Sequence, residues 1–215
     1  MKEVGVLILA YLIGSIPTAL IISRKYFGID IREYGSGNMG ATNTFRVLGQ
    51  KYGTIVMMAD ILKGAIAVGL YNFFPHYISN ELDRTNLMIG LGLASVLGHI
   101  FPIWAQFKGG KGIATLFGMI LTIQPVVACS CVAVFISVLL LTRYISLSSI
   151  LASIFLPICV LWIYNEKEVF YRVFAVAVSC MVVLTHQKNI GRLLKGNESR
   201  VPILKNRDKR RRSKS

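Results

Sequence analysis

Residues 4–23 read VGVLILAYLIGSIPTALIIS, twenty consecutive positions without a charged side chain. At a rise of about 1.5 Å per residue, a helix of this length crosses the roughly 30 Å of hydrocarbon in a bilayer. A cleaved signal peptide is the alternative, but Arg24 and Lys25 follow the run where a small-residue cleavage site would be needed. The stretch therefore predicts a membrane-spanning helix at the start of the chain.

The rest of the chain is apolar in the same way. Of its 215 residues, 54% are hydrophobic and only 16% are charged, more apolar material than a soluble core requires. The apolar runs are continuous, whereas the strands of a membrane barrel alternate between apolar and polar residues. We expect an all-α, polytopic integral membrane protein with about seven transmembrane helices, or six if Gln124 and Pro125 do not separate two spans. The further apolar stretches are 54–74, 86–101, 113–123, 125–141, 147–164 and 169–185.

The basic residues predict how the chain is oriented. Cytoplasmic connections of membrane proteins are enriched in lysine and arginine. With the N-terminus outside, 19 of the 24 lysines and arginines fall in inner connections or at the C-terminal end. An odd number of spans then leaves the C-terminus in the cytoplasm, so the formal net charge of +14 is largely a topology signal.

We divide the chain into one membrane-embedded domain, residues 1–200, and a basic cytoplasmic tail, residues 201–215. The tail ends in KNRDKRRRSKS. A basic run beside a last span usually binds anionic lipid headgroups, and nucleic acid is the alternative partner. We therefore expect membrane lipids, and no nucleic acid, as partners of the tail.

No pattern in the sequence predicts a metal ion or a cofactor. The four cysteines lie in apolar stretches and form no CxxC pair, so we interpret them as packing residues. The chain also contains neither the clustered carboxylates of magnesium-dependent transferases nor a nucleophile elbow. We expect chemistry without a bound metal or cofactor.

The first polar connection, residues 35–53, reads GSGNMGATNTFRVLGQKYG. Its leading glycines match the fingerprint of dinucleotide-binding folds, but that fingerprint must follow a buried strand, and here it follows a membrane span. The acid about twenty residues on, Asp60, lies within the next apolar stretch. The pattern does permit a row of backbone amides that face an anion, before a helix that carries Arg46. A flexible glycine turn is an equally good interpretation of this connection alone.

The second polar connection, residues 98–115, reads GHIFPIWAQFKGGKGIAT. It resembles a phosphate loop, yet a Walker A motif needs glycine at 105 and serine or threonine at 112, where the chain has Ala105 and Gly112. Glycines allow the backbone to approach a phosphate closely, Lys108 and Lys111 supply charge, and a helix N-terminus follows. The alternative is a tight turn whose lysines only mark the inner side of the membrane.

The third polar connection, residues 185–200, reads THQKNIGRLLKGNESR. His186, Asn189 and Arg192 would share one face if the last span continued as a single helix. Glu198 is the rare acid in this basic stretch, and we interpret it as an ion-pair partner rather than as a catalytic base.

Two smaller features accompany these connections. The short connection at 142–149, TRYISLSS, places Arg143 and Ser146 at the inner rim. Asp60 and Lys63 lie one turn apart within the second apolar stretch, where they can neutralise each other. Ionisable residues within a membrane usually serve function, but a self-paired couple is equally a structural feature, and the sequence does not decide between the two.

All three polar connections fall on the inner side of the membrane by this topology. A phosphate-recognising site at a lipid surface fits a substrate with a charged head and an apolar tail, which favours lipid head-group or acyl chemistry. A transporter for a phosphorylated small molecule is a rival, although the polar residues cluster at one face rather than at the midplane. A membrane scaffold whose basic tail recruits partners is a second rival.

At these residues the chain resembles a known family, the bacterial acyl-phosphate:glycerol-3-phosphate acyltransferases, called PlsY. The resemblance rests on GSGNMGATNTFR, GHIFPIWAQFKGGKGIAT, TRYISL and HQKNIGRLLKGNE, in family order and at family-like spacing. It extends from the first span to about Glu198 and implies transfer of a fatty acyl group from acyl phosphate to the 1-hydroxyl of glycerol 3-phosphate. The products would be lysophosphatidic acid and inorganic phosphate, formed at the cytoplasmic face of the bacterial inner membrane.

Another large class of glycerophosphate acyltransferases uses a His-x4-Asp dyad, which can be sought directly in the sequence. Here the fifth residue after each histidine is not aspartate: Glu81 follows His76, Trp104 follows His99 and Gly191 follows His186. The absence of the dyad fits an acyl-phosphate donor.

The resemblance also implies the site residues. The first connection would hold the acyl phosphate, and Arg46 with groups of the other connections would orient glycerol 3-phosphate. The base would be His186 or an oxygen of a substrate phosphate. The expected catalytic residues are Ser36, Arg46, Lys108, His186 and Asn189. The expected substrate-binding residues are Gly37, Asn38, Thr42, Asn43, Gly109, Gly110, Lys111, Gly112, Ser146 and Arg192.

Overall fold

A computed structural model describes residues 2–73 and 81–201, which form ten α-helices and no β-strand in these two ranges. The predicted all-α class is confirmed. The predicted basic tail, from residue 201 onward, lies outside the described residues except for Val201. The helices are α1 (Lys2–Gly14), α2 (Thr18–Phe27), α3 (Ala41–Leu48), α4 (Gln50–Gly69), α5 (Glu81–Ile100), α6 (Ile113–Ile123), α7 (Pro125–Thr142), α8 (Ile145–Ile158), α9 (Val169–Thr185) and α10 (Gln187–Leu194).

Each of the seven apolar stretches is mainly helical in its described part, and the protein is a multi-pass membrane protein. A sixth span exists if α9 and α10, which are bent by 60° at their junction, are counted together, whereas α6 is apolar but shorter. The seventh span and the orientation of the termini remain predictions. Within the described residues, five segments are long and apolar enough to cross a bilayer: Val4–Phe27, Gln50–Phe73, Leu82–Ala105, Pro125–Thr142 and Ile145–Ile163.

The first span is interrupted, although its sequence reads as one continuous apolar run. α1 ends at Gly14 and α2 begins at Thr18, because Pro17 has no amide hydrogen to continue the helical ladder. A break at membrane depth leaves carbonyl groups that need donors from the protein. The Ile16 carbonyl accepts hydrogen bonds from the Thr18 amide (3.0 Å) and from Lys63 Nζ of α4 (3.3 Å).

Glycines let the central helices approach each other closely. A Cβ atom on Gly64 of α4 would overlap the carbonyl oxygen of Thr115, and one on Gly118 of α6 would overlap that of Ile61. Such small-residue contacts are typical of helix packing in membranes, where van der Waals contact replaces the hydrophobic driving force. The close α4–α6 pair forms the scaffold beneath the connections that carry polar residues.

The three polar connections meet at one end of the bundle, which we call the loop face. Arg32 Nη1, three residues before the first connection, donates to the Ala105 carbonyl of the second connection (3.3 Å). The Lys111 ammonium of the second connection donates to the Asn189 carboxamide oxygen of the third. The loops that carry the predicted site residues are therefore in direct contact.

A short segment after α10, residues 196–201, returns across the loop face, and we call it the closing segment. It turns at Gly196, whose φ of +69° lies in the left-handed region. Arg200 Nε donates to the Tyr144 hydroxyl (2.9 Å), and the Val201 amide donates to the Arg143 carbonyl (2.9 Å). The closing segment is thereby tied to the connection between α7 and α8.

Candidate active site

Glu198 of the closing segment lies at the centre of the contacts on the loop face. Its Oε1 accepts hydrogen bonds from Ser146 Oγ (2.8 Å) and Asn189 Nδ2 (2.6 Å), and its Oε2 accepts from Arg192 Nε (2.6 Å). The Glu198 side chain is only 7% exposed. Although burial raises the pKa of this carboxyl, the hydrogen bonds from these three side chains hold it below its ordinary value, so Glu198 is ionised at neutral pH.

Lys111 completes this group, which we call the Glu198 cluster: Lys111, Ser146, Asn189, Arg192 and Glu198. Burial lowers the pKa of the Lys111 ammonium to about 8; the Glu198 charge raises it, and the charges of Arg192 and Arg46 lower it further. The last effect places the guanidinium of Arg46, on α3, within electrostatic range of the cluster. Lys111 and Arg192 thus lie near one carboxylate, with Arg46 within electrostatic range of Lys111, and the excess positive charge suits an incoming phosphate.

His186 lies at the junction of α9 and α10, and here the sequence-based expectation of a continuing helix is wrong. The chain bends by 60° after Thr185, and the imidazole Nδ1 lies 2.8 Å from the Val182 carbonyl, where it caps the end of α9. Because a carbonyl only accepts hydrogen bonds, Nδ1 carries the proton, and Nε2 of the neutral ring keeps its lone pair. Asn189 and Arg192 are still joined through Glu198, on α10 alone.

The first connection is held in shape by Asn43, which is 2% exposed. Its Oδ1 accepts from the Ser36 amide (2.8 Å), and its Nδ2 donates to the carbonyls of Tyr34 (3.0 Å) and Ile31 (3.3 Å). A second amide side chain, Asn38, accepts a bond from the amide of Gly40 within the same loop (2.9 Å). The carboxamide of Asn43 is therefore occupied by the backbone of its own connection.

Other groups of the first connection are available to a ligand. Ser36 and Thr42 are exposed, and in the described parts of the chain their hydroxyls have no hydrogen-bond partner. Gly37 has a φ of +71°, a left-handed conformation that favours glycine, and its amide donates to the Tyr34 carbonyl (3.0 Å). Arg46 is exposed on α3, and its guanidinium is unpaired within residues 2–73 and 81–201.

The second connection presents its lysines differently. Lys108 is exposed, and its ammonium makes no hydrogen bond or ion pair with any described residue. Gly109 and Gly110 pack inward, and the Gly110 amide donates to the His99 carbonyl (3.1 Å). Gly112, with a φ of +81°, precedes the first turn of α6, as the sequence predicted for this helix start.

Of the residues expected from the sequence, the structure joins Lys111, Ser146, Asn189 and Arg192 directly, and Arg46 by charge. The expected ion-pair role of Glu198 holds, but its central position was not foreseen. The signal available in the sequence was an acid standing among five lysines and arginines between residues 186 and 205.

Comparison with known proteins agrees with the geometry. A family model described as glycerol-3-phosphate acyltransferase matches residues 4–196. A glycerol-3-phosphate acyltransferase of Bacillus cytotoxicus is 45% identical over 199 residues, which cover 93% of this chain and 95% of the relative.

Two crystal structures are similar along nearly the whole chain. PlsY (YgiH), an integral membrane glycerol 3-phosphate acyltransferase, in its glycerol 3-phosphate form, matches with a TM-score of 0.81 and 38% identity, over 94% of this chain and 96% of that one. The lysophosphatidic acid form of PlsY matches with a TM-score of 0.78 and 38% identity, over 93% and 95%. The chain belongs to the glycerol-3-phosphate acyltransferase family.

Proposed function

We propose that this protein transfers a fatty acyl group from acyl phosphate to the 1-hydroxyl of glycerol 3-phosphate, without a cofactor. The observation that carries the proposal is the Glu198 cluster, in which Lys111 of the second connection and Arg192 of the third meet near one buried carboxylate, with Arg46 of the first connection within electrostatic range of Lys111. An excess of positive charge at a lipid-facing end of the bundle suits two substrates that both carry phosphate. The relatives named for glycerol 3-phosphate, and PlsY in its glycerol 3-phosphate and lysophosphatidic acid forms, support the acceptor and the product.

The donor assignment rests on the first connection. Its exposed hydroxyls, Ser36 and Thr42, offer two neutral donors to one anion. The motif GSGNMGATNTFR resembles that of the acyl-phosphate-dependent enzymes, and the chain lacks a His-x4-Asp dyad. Because its carboxamide bonds the loop backbone, we assign Asn43 to holding this connection in shape rather than to direct contact with the donor.

Glycerol 3-phosphate would bind between the second and third connections. Arg46 and Lys108, which have no partner among the described residues, would close on its phosphate, while Lys111 and Arg192 are already ordered by the Glu198 cluster. Ordered donors cost little rearrangement when an anion arrives, which is what makes charge stabilisation effective in a site shielded from water. Ser146 and Asn189 keep acceptor or donor capacity for the glycerol hydroxyls.

The chemical step needs positioning more than activation, because acyl phosphate is already a mixed anhydride. The 1-hydroxyl oxygen attacks the acyl carbonyl carbon and forms the ester bond. The bond from that carbon to the phosphate oxygen breaks, and inorganic phosphate leaves with the electron pair. The hydroxyl proton goes to Nε2 of His186 or to an oxygen of a substrate phosphate.

We place the reaction at the cytoplasmic face of the bacterial inner membrane. The support is the excess of lysine and arginine in the connections that form the loop face and in the chain beyond it. On that side the enzyme meets a water-soluble acceptor and releases its product into the inner leaflet.

The direct test is an assay with purified protein in detergent or liposomes. Mixing it with acyl phosphate and glycerol 3-phosphate should release phosphate and form lysophosphatidic acid, and both substrates should be required. Replacing acyl phosphate by acyl-CoA in a parallel reaction tests the donor. Activity with acyl-CoA but not with acyl phosphate would overturn the donor assignment, and activity with neither would overturn the proposed function.

The identity of the base is decided by His186→Gln. A histidine base predicts a fall in kcat of roughly 10²–10⁴-fold at saturating substrates. Turnover close to that of the unaltered protein would assign the proton to the substrate phosphate instead. Thermal unfolding of the variant is measured alongside, because the ring also caps α9.

A further inference from the structure

A second charged group lies within the spans, beneath the loop face, and consists of Asp60 and Lys63 of α4 and His99 of α5. We call it the buried triad. These residues are 2%, 6% and 6% exposed. Asp60 Oδ1 lies 2.9 Å from Lys63 Nζ and 3.5 Å from His99 Nδ1, so one oxygen is shared by two nitrogen groups.

The buried triad touches the glycines of the second connection. The Gly110 amide donates to the His99 carbonyl (3.1 Å), and a Cβ atom on Gly110 would overlap Nε2 of the His99 ring. A Cβ on Gly109 would overlap the His99 carbonyl oxygen. Gly110 does not have a positive φ, so its lack of a side chain is required by the ring above it and not by the backbone conformation.

The same triad reaches the other elements beneath the loop face. Lys63 Nζ donates to the Ile16 carbonyl, exposed by the break between α1 and α2 (3.3 Å). A small cavity borders all three triad residues together with Gly110 and Met39, the latter from the first connection. The second connection therefore contacts this group directly, and the first connection borders the same cavity through Met39.

An Asp60–Lys63 ion pair that served only the stability of the fold would not account for the position of His99. Asp60 and Lys63 neutralise each other, and a buried ion pair by itself is seldom more stable than apolar residues of similar shape. His99 adds a second nitrogen near the Asp60 carboxylate, at 3.5 Å and without a hydrogen bond among the described residues, and the far edge of its ring lies against Gly110 of the second connection. Lys111, the next residue after Gly110, donates to Asn189 in the Glu198 cluster.

We propose that Asp60, Lys63 and His99 are positioning residues, which hold the His99 ring under Gly110 and so set where Lys111 and Lys108 meet glycerol 3-phosphate. The inference rests on the proposed function, because it concerns the acceptor site of that reaction. It predicts an effect on the KM for glycerol 3-phosphate that a general loss of stability would not produce. Replacing a group that orients the residues in contact with a ligand commonly lowers affinity or activity by roughly 10–100-fold.

The test is a double-mutant cycle on the contact between His99 and Gly110. Gly110→Ala should raise the KM for glycerol 3-phosphate at least about tenfold, while the KM for acyl phosphate changes less than about twofold. In a His99→Ala background the added methyl has room. There, Gly110→Ala should raise the KM for glycerol 3-phosphate by less than about threefold. Gly191→Ala is the matched control, since it lies on the loop face and nothing lies within 4 Å of its Cβ position.

A second variant tests the charges of the triad. Asp60→Leu/Lys63→Met replaces the pair by apolar side chains of similar shape and leaves no unpaired charge. It should raise the KM for glycerol 3-phosphate severalfold and reduce the penalty of Gly110→Ala, because the ring is no longer held. The unfolding temperature of each variant is measured in the same detergent.

The outcomes are distinct. Equal penalties for Gly110→Ala in both backgrounds, or equal changes in the two KM values, would overturn the positioning role. If the double apolar variant yields no folded protein, the His99–Gly110 cycle decides alone. If the unaltered protein itself shows no phosphate release that depends on glycerol 3-phosphate, it is the proposed function that fails, and not the triad.

Discussion

The Glu198 cluster and the buried triad are both built around a single carboxylate, yet they differ in what surrounds it. The donors to Glu198 come from two connections, residues 142–149 and 185–200, and the Arg192 side chain remains 41% exposed. The partners of Asp60 come from packed helices, and the side chains of all three residues are at most 7% exposed. A charge left accessible can meet a substrate, whereas a charge sealed within the spans can only fix the position of its neighbours.

The largest expected effect comes from removing one partner of the ion pair in the buried triad. Lys63→Met leaves Asp60 in a dry site without its cation and also removes the donor to the Ile16 carbonyl. Removing one partner of a buried pair costs about 3–5 kcal/mol, so we expect a marked loss of folded protein. Unfolding by a graded denaturing detergent measures the effect.

The control is Asp60→Leu/Lys63→Met, which should regain most of the lost stability because neither charge is left alone. If the single and double variants are equally stable, then the pair does not carry the stability of this region. The comparison separates the role of the pair in folding from its role under the second connection.

The next largest effect is expected on the loop face, where the cations are accessible to a substrate. Arg46→Lys should reduce kcat/KM for glycerol 3-phosphate by about tenfold, because an ammonium cannot replace a two-pronged guanidinium contact with phosphate. Lys108→Arg keeps the positive charge and adds the further N–H donors of a guanidinium, so it should reduce kcat/KM for glycerol 3-phosphate by less than about threefold. Steady-state kinetics decides between them, and equal, mild losses at both positions would remove the special role of Arg46.

The smallest expected effect is a displacement of the alkaline limb of the pH profile. Lys111 is charged below its pKa of about 8, so kcat/KM should fall as the pH rises through that value. Glu198 stabilises the charged form of Lys111, and Glu198→Gln should therefore move the fall to lower pH. Lys111→Arg should abolish this limb, since a guanidinium stays charged; an unchanged limb in either variant would show that Lys111 does not control it.

Much of the fold could be predicted because each apolar stretch is long and uninterrupted by charge. The exceptions are local. The break at Ser15–Pro17 is compatible with an apolar sequence, and it is stable because Lys63, 47 residues later, supplies a donor. The bend at His186 depends on where the imidazole finds a carbonyl, which a helical spacing rule does not contain.

Candidate site residues could be predicted where a single connection concentrates glycine with lysine or arginine. Contacts between residues that are distant in the sequence could not be predicted in this way. Lys111, Asn189 and Arg192 were expected from their motifs. Glu198 became central because it meets Ser146, 52 residues earlier, and this pairing follows only from packing. Asn43 resembled a ligand-binding residue in its motif, but its side chain is used by the loop itself.

The closing segment has a consequence for how the protein is made. Synthesis and insertion proceed from the N-terminus, so the first and second connections are in place before residues 196–201 leave the ribosome. Until then Ser146, Asn189 and Arg192 lack the carboxylate that orders them. The Glu198 cluster can thus form only late in biogenesis, after the spans that precede it have been made.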